Sequence, residues 1–196
     1  MSASWWNQIR PPLGLGRSRA FCGSLLVAAA LLFCGCQAKQ PTLSPEAAHF
    51  KHDIKTCLDN LSATLREPVA QKDVAAINAA LEKVESPAVK LCRLCPFRIG
   101  VLDKFGEALA VYPPQPNRYQ GKNYSGYKLI SEALKSKRIQ QQRFYLQNGS
   151  ELFIICAPLL QQDNVIGLVA IAVNSVEAAK KWGISDKQFL ALDFNS

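Results

Sequence analysis

Histidine is almost missing: the 196-residue chain has only two, His49 and His52. They stand three apart, on one face of any helix that carries them, and supply the only imidazoles for base catalysis or metal ligation. Exposed helix histidines are the common case, and no nucleophile–base pairing stands out around them. The sequence also lacks a glycine-rich phosphate loop and a Ser-centred elbow. The chain therefore reads as a non-enzyme that calls for no cofactor. It has no internal repeat and no low-complexity block. Its lysines and arginines are scattered, so a nucleic-acid footprint is not indicated. Charged residues are 19 % of the chain and apolar residues 48 %, which excludes wholesale disorder and allows one packed domain.

Acids are absent ahead of Cys36, where Arg10, Arg17 and Arg19 are found. Removing those three from the +8 net charge leaves 20 basic against 15 acidic residues, about +5. This is a solvated basic surface, suited to the neighbourhood of an anionic membrane. Residues Phe21 to Phe33 (FCGSLLVAAALLF) carry no charge. A bilayer-spanning helix needs about 20 apolar residues. This stretch falls short of that and fits the hydrophobic region of a signal peptide.

The stretch ends in Leu32-Phe33-Cys34-Gly35-Cys36, which resembles the lipobox of bacterial lipoproteins. Gly35 fills the small-residue slot before the cysteine that receives diacylglycerol, and Phe33 stands where the family usually has Leu. The resemblance implies a lipid on Cys36, export, and attachment on the periplasmic face. Several acyl chains on one cysteine give stable anchoring, where a single chain is marginal. Gln37 is not the aspartate that retains such proteins in the inner membrane, so the outer membrane is the default. The expected domains are a signal peptide over 1–35, a lipidated tether over 36–45 and a single domain over 46–196.

Ser44-Pro45-Glu46 reads as a helix start, with Ser at the cap and Pro at the first position. Phe50, Ile54, Cys57, Leu58, Leu61 and Leu65 recur at helical spacing to about Arg66, where Pro68 interrupts. A second helix is expected over 72–84, on Val74, Ile77, Leu81 and Val84, with Pro87 closing it. Two strands follow, 97–103 and 107–112, around an Asp103–Gly106 turn. A Pro-, Asn- and Tyr-rich loop (113–125) leads to an amphipathic helix over 126–137. Three strands come next: 138–147, then 151–160 after Asn148-Gly149, then 165–174 after Asp163-Asn164. Residues 176–194 read as one or two short helices. Only one strand connection is not a hairpin, so the expectation is an α+β fold with an antiparallel five-stranded sheet. Strand 151–160 is apolar on both alternations, so both faces there are covered. The long N-terminal helix would cover one face and the pocket-forming loop and helix the other.

This layout resembles the PAS-like Cache domain of bacterial extracytoplasmic sensors. Ile99 to Ala110 looks like the family's strand–Asp–x–x–Gly–strand opening. Gly121-Lys122-Asn123-Tyr124-Ser125-Gly126-Tyr127 resembles its G-x-(D/N)-(Y/F)-S entry to the pocket helix. Ala157-Pro158-Leu159 and Val165-Ile166-Gly167-Leu168-Val169 resemble its closing strands. The match covers about residues 46–175. It implies a ligand-binding sensory module for a small molecule such as an organic acid or amino acid. Such modules usually signal through a membrane helix to a transmitter domain, and none follows here. Two roles remain: a lipoprotein that presents its ligand state to a separate membrane-bound signalling partner, or a binding module that scavenges a ligand.

A site of this kind joins apolar walls to a few convergent polar groups. The candidates are Lys122, Tyr124 and Tyr127 at the loop entry, with Gln141, Arg143 and Tyr145 sharing one face of their strand. Arg143 is of a type that grips carboxylates bidentately. Arg118 and Lys122 are also read as plain surface charges.

Of seven cysteines, Cys22 and Cys34 lie in the signal peptide and Cys36 takes lipid. Cys57, Cys92, Cys95 and Cys156 remain, an even number suited to disulfides in an oxidising compartment. Three pairings are possible and the sequence does not choose among them. A bridge from Cys57 to Cys92 or Cys95 would staple the first helix to the first strand. The rival reading is a thiol/disulfide or metal-dependent redox protein using Cys92 and Cys95. Zinc on the four thiols, or with His52, belongs to that reading.

Overall fold

The computed structural model describes residues 43–84, 86, 89–90, 98–146 and 149–196. The expected signal peptide, Cys36, Cys92, Cys95, Pro87 and Asn148 lie outside the described residues. Contacts within the chain divide it into Met1–Ala38 and Lys39–Ser196, and the fold described is that of the second unit.

Helix α1 (Pro45–Ala70) begins as its sequence demands: the Ser44 hydroxyl accepts a hydrogen bond from Ala47 N at 3.2 Å. Its buried residues, Ala47 through Phe50, Ile54, Cys57, Leu58, Leu61 and Leu65 to Val69, form a single stripe. The helix continues past its expected end near Arg66, with Pro68 inside the last turn. Proline forfeits one backbone bond there. The Pro68 carbonyl still accepts from Asp73 N, Gln71 N bonds Glu67 O, and Val69 is held in the core. The next helix, α2 (Val74–Glu82), is shorter than expected because Asp73 is its cap, accepting from Ala76 N at 3.0 Å. Lys72 makes the bend between the helices in the left-handed region, with φ 53°.

Five strands follow: β1 (Ile99–Asp103), β2 (Ala108–Tyr112), β3 (Gln140–Tyr145), β4 (Glu151–Gln161) and β5 (Asn164–Asn174). They form one sheet in the order β2-β1-β5-β4-β3, every neighbour antiparallel. Between β2 and β3 lie a single turn, α3 (Pro116–Tyr119), in the loop expected to be irregular, and α4 (Lys128–Ser136). The chain ends its described course in α5 (Ser175–Trp182) and α6 (Asp186–Ala191). The β4–β5 turn is built on Gln162 (φ 48°) and Asp163 (φ 62°), one residue earlier than expected. Two consecutive left-handed residues give the twist that a tight hairpin needs. Pro158 is accommodated although β4 is an inner strand. β3 pairs only as far as Gln140 with Cys156, so the N–H that Pro158 lacks falls beyond the end of β3.

The sheet separates two apolar layers. On one side α1, α2 and the C-terminal helices cover Ile99, Val101, Phe153, Ile155, Val169 and Ile171. Phe189 of α6 stacks on Phe153 at 4.0 Å, and Phe50 meets Trp182 edge-on at 5.3 Å. Burying each such side chain contributes about 1.5–3 kcal/mol. On the other side α4 covers Leu102, Cys156, Leu168 and Ala170 with Leu129, Ile130 and Ala133. The long N-terminal helix on one face and the loop-helix on the other are as the sequence led one to expect. The C-terminal helices share the α1 face. Gly167 fixes the closest approach: a Cβ there would lie 2.5 Å from Val69 Cγ1 and 2.6 Å from Leu102 O.

Candidate functional site

The segment Gly121–Ser125 is docked along the start of β2. Gly121 N bonds Ala108 O, Ala108 N bonds Lys122 O, and Tyr124 N bonds Gly106 O at 2.7 Å. Asn123 completes the clamp. Its Oδ1 accepts from Ser125 N (2.8 Å) and Ser125 Oγ (2.6 Å), and its Nδ2 donates to Phe105 O at 3.1 Å. Gly106 is required at this junction, with φ +82° and a would-be Cβ 2.8 Å from Ser125 N. The β1–β2 turn is itself organised by Asp103, whose Oδ1 accepts from Phe105 N and Glu107 N.

This clamp places Tyr124 and Tyr127 against the α4-side layer, beside Leu134, Phe144 and Ile154. Their rings lie 6.1 Å apart at 35°. Burial, and then the neighbouring Tyr124, push the Tyr127 phenol up to about 12. Burial also raises Tyr124 and Tyr119, while the Arg118 guanidinium pulls both down. Arg118 lies over the Tyr119 ring at 5.3 Å. At neutral pH these phenols are therefore neutral, beside the exposed Arg118 and an apolar floor.

Of the six residues expected in one site, Tyr124 and Tyr127 come together, and Lys122 is exposed on the docked segment. Gln141, Arg143 and Tyr145 belong to the opposite face of the sheet. They sit opposite Ile155, Phe153 and Glu151, and Ile155 and Phe153 belong to the α1-side layer. Gln141 Nε2 donates to the carbonyls of Phe189 and Leu192. Arg143 pairs with Glu151 (Nε to Oε1, 2.8 Å) and with Asp186 (Nη1 to Oδ2, 2.6 Å), and its guanidinium lies 5.0 Å from the Tyr145 ring centre. These side chains latch α6 onto β3. Sequence reasoning passed over Phe144 and Tyr119. Phe144 had a usable signal, since its parity puts it with Ile154 and Cys156, opposite in side from Arg143. Tyr119 had none beyond its place in the loop.

The described thiols are both free and buried. Cys57 lies in the α1-side layer and Cys156 in the α4-side layer, so the sheet stands between them. They cannot pair with each other, nor converge with a common metal. Burial raises both thiols, and at Cys57 the nearby Ser86 hydroxyl opposes that rise. Among the described residues no group of three or more His, Cys, Asp or Glu could hold a metal, and His49 pairs with Asp53 at 3.5 Å. No described helix is long and apolar enough to cross a membrane.

No family model and no curated protein matches the chain. Solved structures do. The extracellular domain of the histidine kinase vpHK1S-Z8 matches at TM-score 0.55 and 15 % identity, over 73 % of this chain and 57 % of its own. A domain of a sensory box/GGDEF family protein from Vibrio parahaemolyticus matches at 0.53 and 14 %, over 73 % and 60 %. The sensor domain of the V. cholerae histidine kinase DctB matches at 0.45 and 17 %, over 71 % and 52 %. The chain spans about three fifths or less of each of these structures. The two matches above 0.5 give it the fold of Cache/PAS-like sensor domains. At these identities the likeness is one of fold, and residue roles rest on the geometry above.

Proposed function

We propose that this chain is an extracytoplasmic small-molecule-binding sensory module, tethered to the membrane by lipid on Cys36 and working through a separate membrane-bound partner. The observation that carries the ligand-binding part is the pair Tyr124 and Tyr127, packed against the α4-side layer next to the Asn123 clamp, with Tyr119 and the exposed Arg118 on the preceding turn. Neutral phenols with a guanidinium favour a metabolite bearing a carboxylate or similar acceptor, such as an organic acid or amino acid. The charge-free Phe21–Phe33 stretch, Gly35 and Gln37 support export and an outer-membrane anchor. If so, the domain works in an oxidising compartment, where Cys57 has Cys92 or Cys95 as candidate partners.

The redox reading gains nothing from the described thiols. A reactive cysteine has a lowered pKa and access to solvent, and Cys57 and Cys156 have neither. The ligand reading is tested by a thermal-shift screen of carboxylates, amino acids and amines against the domain. A ligand-specific rise in Tm supports it, and a flat response across the screen contradicts it. Release of Cys36→Ser into the soluble fraction tests the anchor.

A further inference from the structure

The two edges of the sheet differ. β2 is closed by the docked segment, through Gly121 N to Ala108 O, Ala108 N to Lys122 O and a bridge between Glu107 and Asn123. β3 forms the other edge. Backbone groups of alternate residues in an antiparallel strand point to opposite sides. Leu146 N bonds Ser150 O across the hairpin, so the even-numbered residues face β4, and Ile139, Gln141, Arg143 and Tyr145 face outward. Asn195 closes the first of these rungs: its Oδ1 accepts from Ile139 N at 2.8 Å and its Nδ2 donates to Ile139 O at 3.1 Å. The backbone groups of Gln141, Arg143 and Tyr145 have no outward partner among the described residues.

Edge strands are ordinarily blunted by lysine, proline, a bulge or a cover. Gln140–Tyr145 has neither lysine nor proline and pairs with β4 without a register shift. Its one charge, Arg143, is matched by Glu151 and Asp186. Apolar surface flanks the open rungs. Tyr145 is 65 % exposed. Leu190 is 51 % exposed and stands one helical turn beyond Asp186, on the same side of α6.

We propose that a second copy of this chain adds its β3 antiparallel to this one, about a two-fold axis at Arg143, so that one sheet continues through both subunits. The open rungs select that occupant. They are spaced evenly about Arg143, so the two-fold sets Gln141 opposite Tyr145 of the second copy, sets Arg143 opposite its equivalent, and leaves no open rung unused. Each such pair exchanges two hydrogen bonds, about six in all. A slip of one rung would either leave Gln141 without a partner or set Tyr145 against Ile139, which Asn195 already holds. The two Arg143 side chains meet across the axis without bare like charges, because Glu151 and Asp186 accompany each guanidinium. The exposed Tyr145 ring gains Gln141 of the second copy as its same-face neighbour.

The test is photo-crosslinking of the full chain in the producing bacterium, with benzoylphenylalanine in place of Tyr145 and, as a control, in place of the exposed Phe105. The expected result is an adduct of two copies at 145, joined to β3 of the second copy, and none at 105. The purified full chain in detergent should sediment as a dimer. Tyr145→Pro removes an outward N–H and no bond to β4, and should sediment as a monomer. Its melting curve shows whether it folds, and the crosslink map stands without it. A monomer with no adduct at 145, the same adduct at 105, a join elsewhere on the second copy, or a dimer that survives in folded Tyr145→Pro would overturn the proposal. An adduct at 145 with a different protein would also overturn it and give the edge to a foreign strand. The ligand screen bears on the sensory reading alone.

Discussion

Lys72 Nζ lies 2.7 Å from Asp103 Oδ2 and ties the end of α1 to the β1–β2 turn across 31 residues of sequence. Asp103 is only 1 % exposed, so its carboxylate depends on this lysine and on the two turn amides it accepts from. Through that turn the bond also reaches the segment bearing Tyr124.

Asp103→Ala removes an acceptor from Phe105 N and Glu107 N and should cost about 1–3 kcal/mol, read as a lower urea midpoint with unchanged slope. Lys72→Met should cost less, because the lysine side chain is 54 % exposed. Burial pushes the Asp103 carboxyl up, but the Lys72 hydrogen bond, the two amides and the Lys72 charge outweigh it and hold the carboxyl below its ordinary value. A depressed carboxyl stabilises the fold above its unfolded pKa, ordinarily near 3.8, and that contribution disappears as the pH falls through the folded value. The stability gap between wild type and Asp103→Asn should therefore narrow below about pH 4 in acid unfolding curves. A gap independent of pH would show that the charge is not what holds the turn.

Gly167→Ala should destabilise by about 1–3 kcal/mol, because an added methyl overlaps Val69 and the Leu102 carbonyl, one of them backbone. Val69→Ala in the same chain should return part of that loss. Additive losses would mean that α1 does not approach the sheet as closely as described.

Tyr127 should be the last of the partly buried phenols to ionise, near pH 12, in a titration followed by phenolate absorbance. A raised phenol is neutral in the fold, so its contribution is intact below the ordinary value near 10 and is lost as the pH rises toward 12. Stability of wild type should fall more steeply than that of Tyr127→Phe across this interval. Equal slopes would place Tyr127 in solvent.

Much of this was legible in the sequence, and the reasons are local. Ser44-Pro45 and the Phe50-to-Leu65 stripe define α1 because capping and helical burial are short-range. Pro68 misled: the helix runs two residues past it, to Ala70, where Val69 is held in the core. The hairpins announced themselves through glycine and Asx residues, yet the β4–β5 turn moved back to Gln162, a residue with no left-handed preference of its own. The motif around Asn123 pointed to Tyr124 and Tyr127, and the segment it docks brings their rings together. Arg143 was misplaced for a different reason. Its alternation with Gln141 and Tyr145 was read correctly, but which face α4 covers depends on tertiary packing. The same register that sends Phe144 toward Tyr127 sends Arg143 to Asp186.

The most direct measurement is calorimetric titration of the best ligand from the thermal-shift screen into wild type, Tyr127→Ala and Arg143→Ala. The prediction is a Kd at least about tenfold weaker in Tyr127→Ala, as for loss of a central contact residue, and unchanged in Arg143→Ala, whose partners are Glu151 and Asp186. Binding that survives Tyr127→Ala and is lost in Arg143→Ala, with both variants folded, would put the ligand on the opposite face of the sheet and contradict the assignment.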